Sequence, residues 1–214
     1  MNNRDRTLAA ARQLMNAYGA DSIGTNQIAE ATGISPGNIY YHFKNKEEIV
    51  RTLFGELERE FRLALTADIE TPISAARFAG FYLRSMQVSW DYRFFFGGLL
   101  QLLRKDEDLA ERYRALQAWA VDNLEAIARQ IWADGHMSKP KGRDGFRSVA
   151  VATWLIWSNW IRYAQISSPT HEVRSADMMD GVSQIFDVLV PYLDPAFDKA
   201  ARRVLSRELA KLDL

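Results

Sequence analysis

Cysteine is absent from the 214 residues, which excludes a disulfide framework, a thiolate metal site and a cysteine nucleophile. That absence suits a reducing cytoplasm, the compartment expected for the chain. Proline and glycine are sparse, at 6 and 12 residues, and alternating apolar and polar runs are hard to find. Both features point to an all-α chain. No apolar run is long enough to cross a bilayer, and the opening MNNRDRTLAAARQL lacks the apolar centre of a signal peptide. No membrane partner is expected. The richest apolar stretch, VAVATWLIWSNWI, reads as a buried helix.

Clustered catalytic groups are lacking too. The three histidines, His42, His136 and His171, stand far apart and show no metal-ligand spacing. There is no glycine-rich phosphate loop and no GxSxG. An enzyme is not expected, nor a metal or cofactor. A net basic charge is also missing, with 27 Lys and Arg against 27 Asp and Glu. The first 54 residues carry Arg4, Arg6, Arg12, Lys44, Lys46 and Arg51 against Asp5, Asp21, Glu30, Glu47 and Glu48. Charge alone does not suggest nucleic acid, so geometry must carry that case.

What is present is helix punctuation. Leu8, Ala11, Leu14 and Met15 share one face of a helix over residues 4–18, stopped by Gly19. Thr25 is the expected N-cap of a short second helix ending at Gly33. Ser35 and Pro36 open a third as N-cap and first helical residue. Asn45, with Glu48 three residues on, opens a fourth in the manner of a capping box. Its Ile49, Leu53, Leu57, Phe61 and Leu65 recur at helical spacing, with Glu47–Arg51 and Glu58–Arg62 expected as i,i+4 pairs. Thr71-Pro72 is read as the next break. Further helices are expected over residues 73–90, 93–104, 107–133, 144–166, 176–193 and 195–212. The chain thus reads as a three-helix head over residues 1–47 and a larger helical body over 48–214.

Within the head, the second and third helices have the spacing of a helix-turn-helix. Ala29 sits where the helices come closest and a larger side chain would push them apart. Gly33 supplies the positive φ of the turn. Ile28, Ile34, Ile39 and Phe43 fill the wedge, Phe43 against Leu8 and Leu14. Asn38, Tyr40, Tyr41 and His42 cannot then all be buried, and Gly37 thins the leading edge of the third helix. Asn and Tyr bond bases or phosphates, and aromatic faces meet thymine methyls. Lys46, in the first turn of the fourth helix, is placed for a phosphate.

TNQIAEATGISPGNIYYHFKNKEEIV resembles the N-terminal signature of TetR/AcrR-type bacterial transcriptional regulators, over about residues 4–54. The resemblance implies a helix-turn-helix head followed by a divergent helical body that dimerises and binds a small effector. It implies phosphate contacts from Thr25, Asn38, Tyr41, His42 and Lys46. Base edges would be approached by Asn26, Pro36, Gly37 and Tyr40, with Gln27 and Ser35 nearby. Gly24-Thr25-Asn26 departs from the family, which often has a pair of Thr or Val there. Asn26 suits adenine, and Gly24 is expected to loosen the start of the second helix.

In the body, all six Trp follow residue 89. The stretch around residues 149–164 is apolar on nearly all sides, so it must be covered twice, and the helix bearing Met178, Met179, Val182, Ile185, Phe186 and Leu189 has a similar excess. Two such helices suggest a four-helix interface in a two-fold homodimer, with two heads on two half-sites of double-stranded DNA. Gly97-Gly98 reads as a kink beside a cavity. Candidate ligand residues are Trp90, Phe95, Gln101, Trp119, Asn123, Trp157 and Asn159, with Ser158 among the polar marks. Asn159 fits an interface hydrogen bond equally well. The expected effector is small and largely apolar, aromatic or acyl. The reading is a dimeric, ligand-responsive repressor; activation, or a ligand-binding or interaction protein whose head no longer binds DNA specifically, are the alternatives.

Overall fold

The computed structural model describes residues 2–66 and 72–209, and within them the chain is all helix: eleven helices and no strand. The helices are α1 Asn3–Tyr18, α2 Thr25–Thr32, α3 Pro36–His42, α4 Lys46–Leu65, α5 Ala75–Asp91, α6 Arg93–Gly97, α7 Leu99–Lys105, α8 Glu107–Ala133, α9 Gly145–Ser167, α10 Ser175–Leu189 and α11 Pro195–Leu209. The break expected at Thr71, and the last turn expected to reach residue 212, lie outside the described residues. The expected kink at Gly97-Gly98 is a full interruption between α6 and α7. The helix expected to run to residue 193 stops at Leu189, because the chain turns there into the antiparallel bridge between Met137 and Leu193.

The residues form two compact units, one of residues 1–60 and 91–114, the other of 61–90 and 115–214. This division gives the first unit the early turns of α4 and all of α6 and α7, which a cut at residue 47 leaves to the body.

The first unit closes on Leu8, Ala11 and Met15 of α1, Ile28, Ile39 and Phe43, and Ile49, Leu53, Phe54 and Leu57 of α4, all buried. Phe54 stacks on Phe95 of α6, centroids 5.1 Å apart. Asn45 Oδ1 accepts from Glu48 N as expected, while the return bond of the box lands one residue earlier, Glu48 accepting the Lys44 N–H at 2.6 Å. The Arg51 guanidinium donates not to Glu47 but to Asp106, at 2.6 Å. Glu58 accepts from Arg112 at 3.2 Å. Asp106 also caps α8 through Leu109 N. For Arg51 the distant partner wins because the Asp106 carboxylate is buried, where an ion pair is screened less by water.

The second unit is packed around aromatic rings. Phe78, Tyr82, Phe186 and Phe197 form one cluster, with centroids 5.2 to 5.6 Å apart. Phe61, Trp154 and Trp157 form another, Phe61 and Trp157 only 4.2 Å apart. Trp160 donates its indole N–H to the Asp177 carbonyl at 2.6 Å, which ties α9 to the first turn of α10. Burial without an ionised partner pushes the Tyr82 hydroxyl well above the ordinary phenol range.

Candidate nucleic-acid interface and ligand cavity

The turn between α2 and α3 follows from Gly33, whose φ of 66° and ψ of 17° place it in the left-handed region. A Cβ there would strain the backbone rather than strike a neighbour. Ala29 is buried beneath α3, and Ile28, Ile34 and Ile39 fill the angle between the two helices. Ser35 Oγ accepts from Asn38 N at 3.3 Å, with Pro36 in the first helical position. Gln27 folds back to accept the Gly24 N–H at 2.9 Å. The N-cap of α2 is Gly24 and not Thr25, which is already helical; the Gln27 bond compensates for the missing side-chain cap and stiffens the start of α2.

With Ile39 and Phe43 turned inward, the outer face of α3 presents polar and aromatic groups. Tyr40 is 53% and Tyr41 83% exposed, so both rings stand outside the packed wedge. Ser35, Pro36, Gly37, Asn26 and Gln27 are exposed, while Thr25, Asn38, His42 and Lys46 are half-buried. A Cβ on Gly37 would meet nothing within 4 Å. Internal packing therefore does not call for glycine there, and a close external approach of the backbone would.

Several of these side chains are already oriented. Tyr40 Oη lies 3.1 Å from Thr25 Oγ1. Asn38 Oδ1 accepts from Asn3 Nδ2 at 3.1 Å, leaving its own amide N–H groups to point outward. Tyr41 and His42 meet edge to face at 5.0 Å. Lys46 Nζ donates to the Ala20 carbonyl at 2.9 Å and keeps two further N–H donors. Sequence reasoning passed over Arg6, which grips the Thr32 carbonyl at 2.6 Å beside the turn, and Lys44, an exposed cation two residues before Lys46. The KNK spacing after the third helix was the available signal.

The seven ligand candidates are dispersed. Phe95 is stacked inside the first unit and Gln101 is exposed on α7 of that unit. In the second unit, Asn123 donates to the Leu65 carbonyl at 2.6 Å. Trp119 faces Phe61 and carries the Arg62 guanidinium 4.4 Å from its ring. Trp157 belongs to the Phe61 cluster. Asn159 is exposed, its amide bonded to the Leu155 carbonyl and Ser158 Oγ. Two spaces inside this unit, one lined by Phe61, Tyr82, Leu124 and Trp157, the other by Phe78, Ile127 and Leu189, measure about 10 Å³ each. Each holds a water at most.

A larger cavity, about 710 Å³, lies between α5, α10 and α11 and is bordered by Trp90 alone of the seven. That volume falls in the ligand-pocket range of about 300–1,000 Å³. Leu83, Met86, Met178, Met179 and Val204 supply its apolar wall, and Arg84 its cation. Gly80 and Arg84 stand one turn apart, and a Cβ on Gly80 would come within 2.7 Å of Arg84 Nη1. A glycine four residues before an arginine was the sequence signal for this folded-back guanidinium.

A helix-turn-helix whose third helix turns polar and aromatic groups outward has the architecture of a DNA-binding head, and comparison with known proteins names the lineage. Residues 8–53 match "Bacterial regulatory proteins, tetR family" and residues 55–200 match "Bacterial transcriptional repressor" of the same family. The chain belongs to the TetR family of bacterial transcriptional regulators, which are regulators and not enzymes. It is 32% identical to the HTH-type transcriptional regulator AcrR of Shigella flexneri over 81 residues, 35% of this chain and 36% of that one. The alignment thus spans about a third of that curated relative. Among solved structures, a TetR-family transcriptional regulator of Marinobacter aquaeolei VT8 is 28% identical, with a TM-score of 0.85 and 97% of this chain and 98% of that chain covered. The complex of SmeT with triclosan has the same fold at 16% identity, TM-score 0.60, covering 91% of this chain and 93% of that one. Among the described residues no helix is long and apolar enough to cross a membrane.

Proposed function

We propose that the chain is a homodimeric transcriptional repressor that binds an operator of two half-sites and leaves it when a small effector occupies the body. The observation that carries this reading is the outer face of α3, where Tyr40 and Tyr41 stand exposed beside an unobstructed Gly37. Such a face supports base-edge approach by Asn26, Gln27, Ser35, Pro36, Gly37 and Tyr40. Thr25, Asn38, Tyr41, His42 and Lys46 then hold phosphates. AcrR is an HTH-type transcriptional regulator and SmeT forms a complex with triclosan, which supports the same division of labour here.

Dimerisation is supported by α9. Val151, Leu155, Tyr163 and Ile166 are 38%, 55%, 61% and 72% exposed, and Asn159 interrupts them as a polar group inside an apolar stripe. The buried side of the same helix is already spent on Trp154, Trp157 and Ile161. The apolar residues of α10 are mostly consumed within the unit, so α9 carries the uncovered surface. A second copy related by a two-fold axis covers that stripe with its own.

Coupling is supported by Asn16 of α1. Its Nδ2 donates to the Asp91 carbonyl at 2.8 Å, the last residue of α5, and its Oδ1 accepts from Phe94 N of α6 at 3.0 Å. One head side chain thus holds the joint at which α5 ends. A shift of α5 by a bound effector reaches α1 through that amide, and linkage requires DNA to weaken the effector by the same factor.

The test is fluorescence anisotropy of the full chain on fragments flanking its own gene against scrambled DNA, at two salt concentrations. Tight binding to one fragment, falling steeply with salt, is expected. Binding that is flat in salt and indifferent to sequence would overturn the reading.

A further inference from the structure

We infer that the cavity between α5, α10 and α11 is the effector site and that it receives an amphipathic carboxylate, one anionic group on an extended apolar body. The inference rests on the reading of the chain as a ligand-responsive regulator. It begins from the space available. Among the described residues, the gap between the rings of Phe61, Tyr82, Trp154 and Trp157 is water-sized. A ligand entering there would have to displace a tryptophan, whereas about 710 Å³ stands ready against α5.

The wall chemistry selects the body of the ligand. Met86, Met178 and Met179 line the cavity together. Thioether chains are unbranched and polarisable, so they adapt to a flexible alkyl chain or a flat ring without a fixed shape. Leu83 and Val204 extend the same surface.

The charge balance selects the head. Among the described residues the Arg84 guanidinium donates to the Ala64 carbonyl at 3.3 Å and lies over the face of Phe81 at 5.7 Å. No carboxylate stands within 4.0 Å of it among the described residues. Glu208, on the α11 side of the cavity, already has the Arg207 guanidinium 3.6 Å away. Arg84 is thus the cavity's cation without a carboxylate partner among the described residues. Gly80 leaves the space over which the exposed Arg84 side chain folds back along α5. A planar guanidinium accepts a carboxylate through two parallel hydrogen bonds.

The probes are decanoate and its uncharged counterpart 1-decanol, titrated calorimetrically into the full-length protein. Decanoate is expected to bind at least about tenfold more tightly than decanol, the difference made by one charge-assisted pair. Arg84→Met should erase that preference and leave decanol within about twofold of wild type. Val204→Trp should abolish both by filling the cavity, and Met179→Trp serves should the first not fold. Failure of decanoate to bind wild type, equal decanoate affinity in Arg84→Met, or binding that survives a filled cavity each overturns the assignment. DNA anisotropy in parallel separates the two readings. Decanoate that binds through Arg84 yet leaves DNA affinity unchanged keeps the site and removes effector release. Release by decanoate that persists in Arg84→Met keeps effector release and removes the site.

Discussion

Tyr40 Oη and Thr25 Oγ1 lie 3.1 Å apart, fifteen residues apart in the chain, and this bond ties the middle of the reading helix to the first turn of the helix before it. Both groups are proposed DNA contacts, so each sets the other's direction before DNA arrives. Tyr40→Ala should lose specific binding by about 1–3 kcal/mol while sparing affinity for random DNA. Lys46→Ala should weaken all sequences alike and lower the salt slope by about 1. Anisotropy on operator and scrambled DNA measures both, and identical profiles for the two variants would sink the division between reader and anchor.

Gly33 tests the turn separately. Its φ of 66° is costly for any residue with a Cβ, and Gly33→Ala should destabilise the head by about 1–2 kcal/mol. Urea unfolding followed by far-UV circular dichroism would register the loss. An unchanged midpoint would show that the turn relaxes to negative φ.

The α9 stripe predicts the oligomeric state. Leu155→Glu puts a charge in the centre of the uncovered apolar face and should convert the dimer to monomer, with operator binding weakened because two half-sites are no longer joined. Sedimentation equilibrium decides it; a dimer that survives Leu155→Glu places the interface elsewhere.

Asn16 should matter for communication rather than for either ligand. Asn16→Ala removes the bond from α1 to the α5 end and the bond to Phe94 N of α6. Operator affinity without effector should change little, while effector should release DNA less completely. Loss of basal DNA binding instead would make Asn16 a purely structural clamp.

Asp177 carries a pH signature. The Arg174 guanidinium at 2.9 Å, with the Arg174 N–H at 2.7 Å, holds its carboxyl below the usual carboxylate range. A depressed folded-state value contributes stability that is complete above the unfolded value, about 3.9 for Asp, and is lost as pH falls through the folded one. The urea midpoint should therefore drop more steeply in wild type than in Asp177→Asn below about pH 4. Parallel curves would show the pair to be too solvated to matter.

What residues alone determined was the all-α class, the helix-turn-helix and the outward polar face of its third helix. Helix caps, the Ala29–Gly33–Ile39 spacing and the inward Ile39 and Phe43 follow from local rules that a short sequence window contains. Once two positions of α3 are inward, helical geometry leaves Tyr40 and Tyr41 outside. Tertiary structure decided the rest. Arg51 chose Asp106, fifty-five residues away, over Glu47 on its own helix, because burial rewards a distant partner that no local pattern announces. The aromatic residues of the body looked alike in sequence. Only packing showed that Phe61, Trp154 and Trp157 fill their own interior while Leu155 and Tyr163 face outward and a cavity opens beside Arg84. Periodicity reports which residues are apolar; which of them meet depends on how helices far apart in the chain come together.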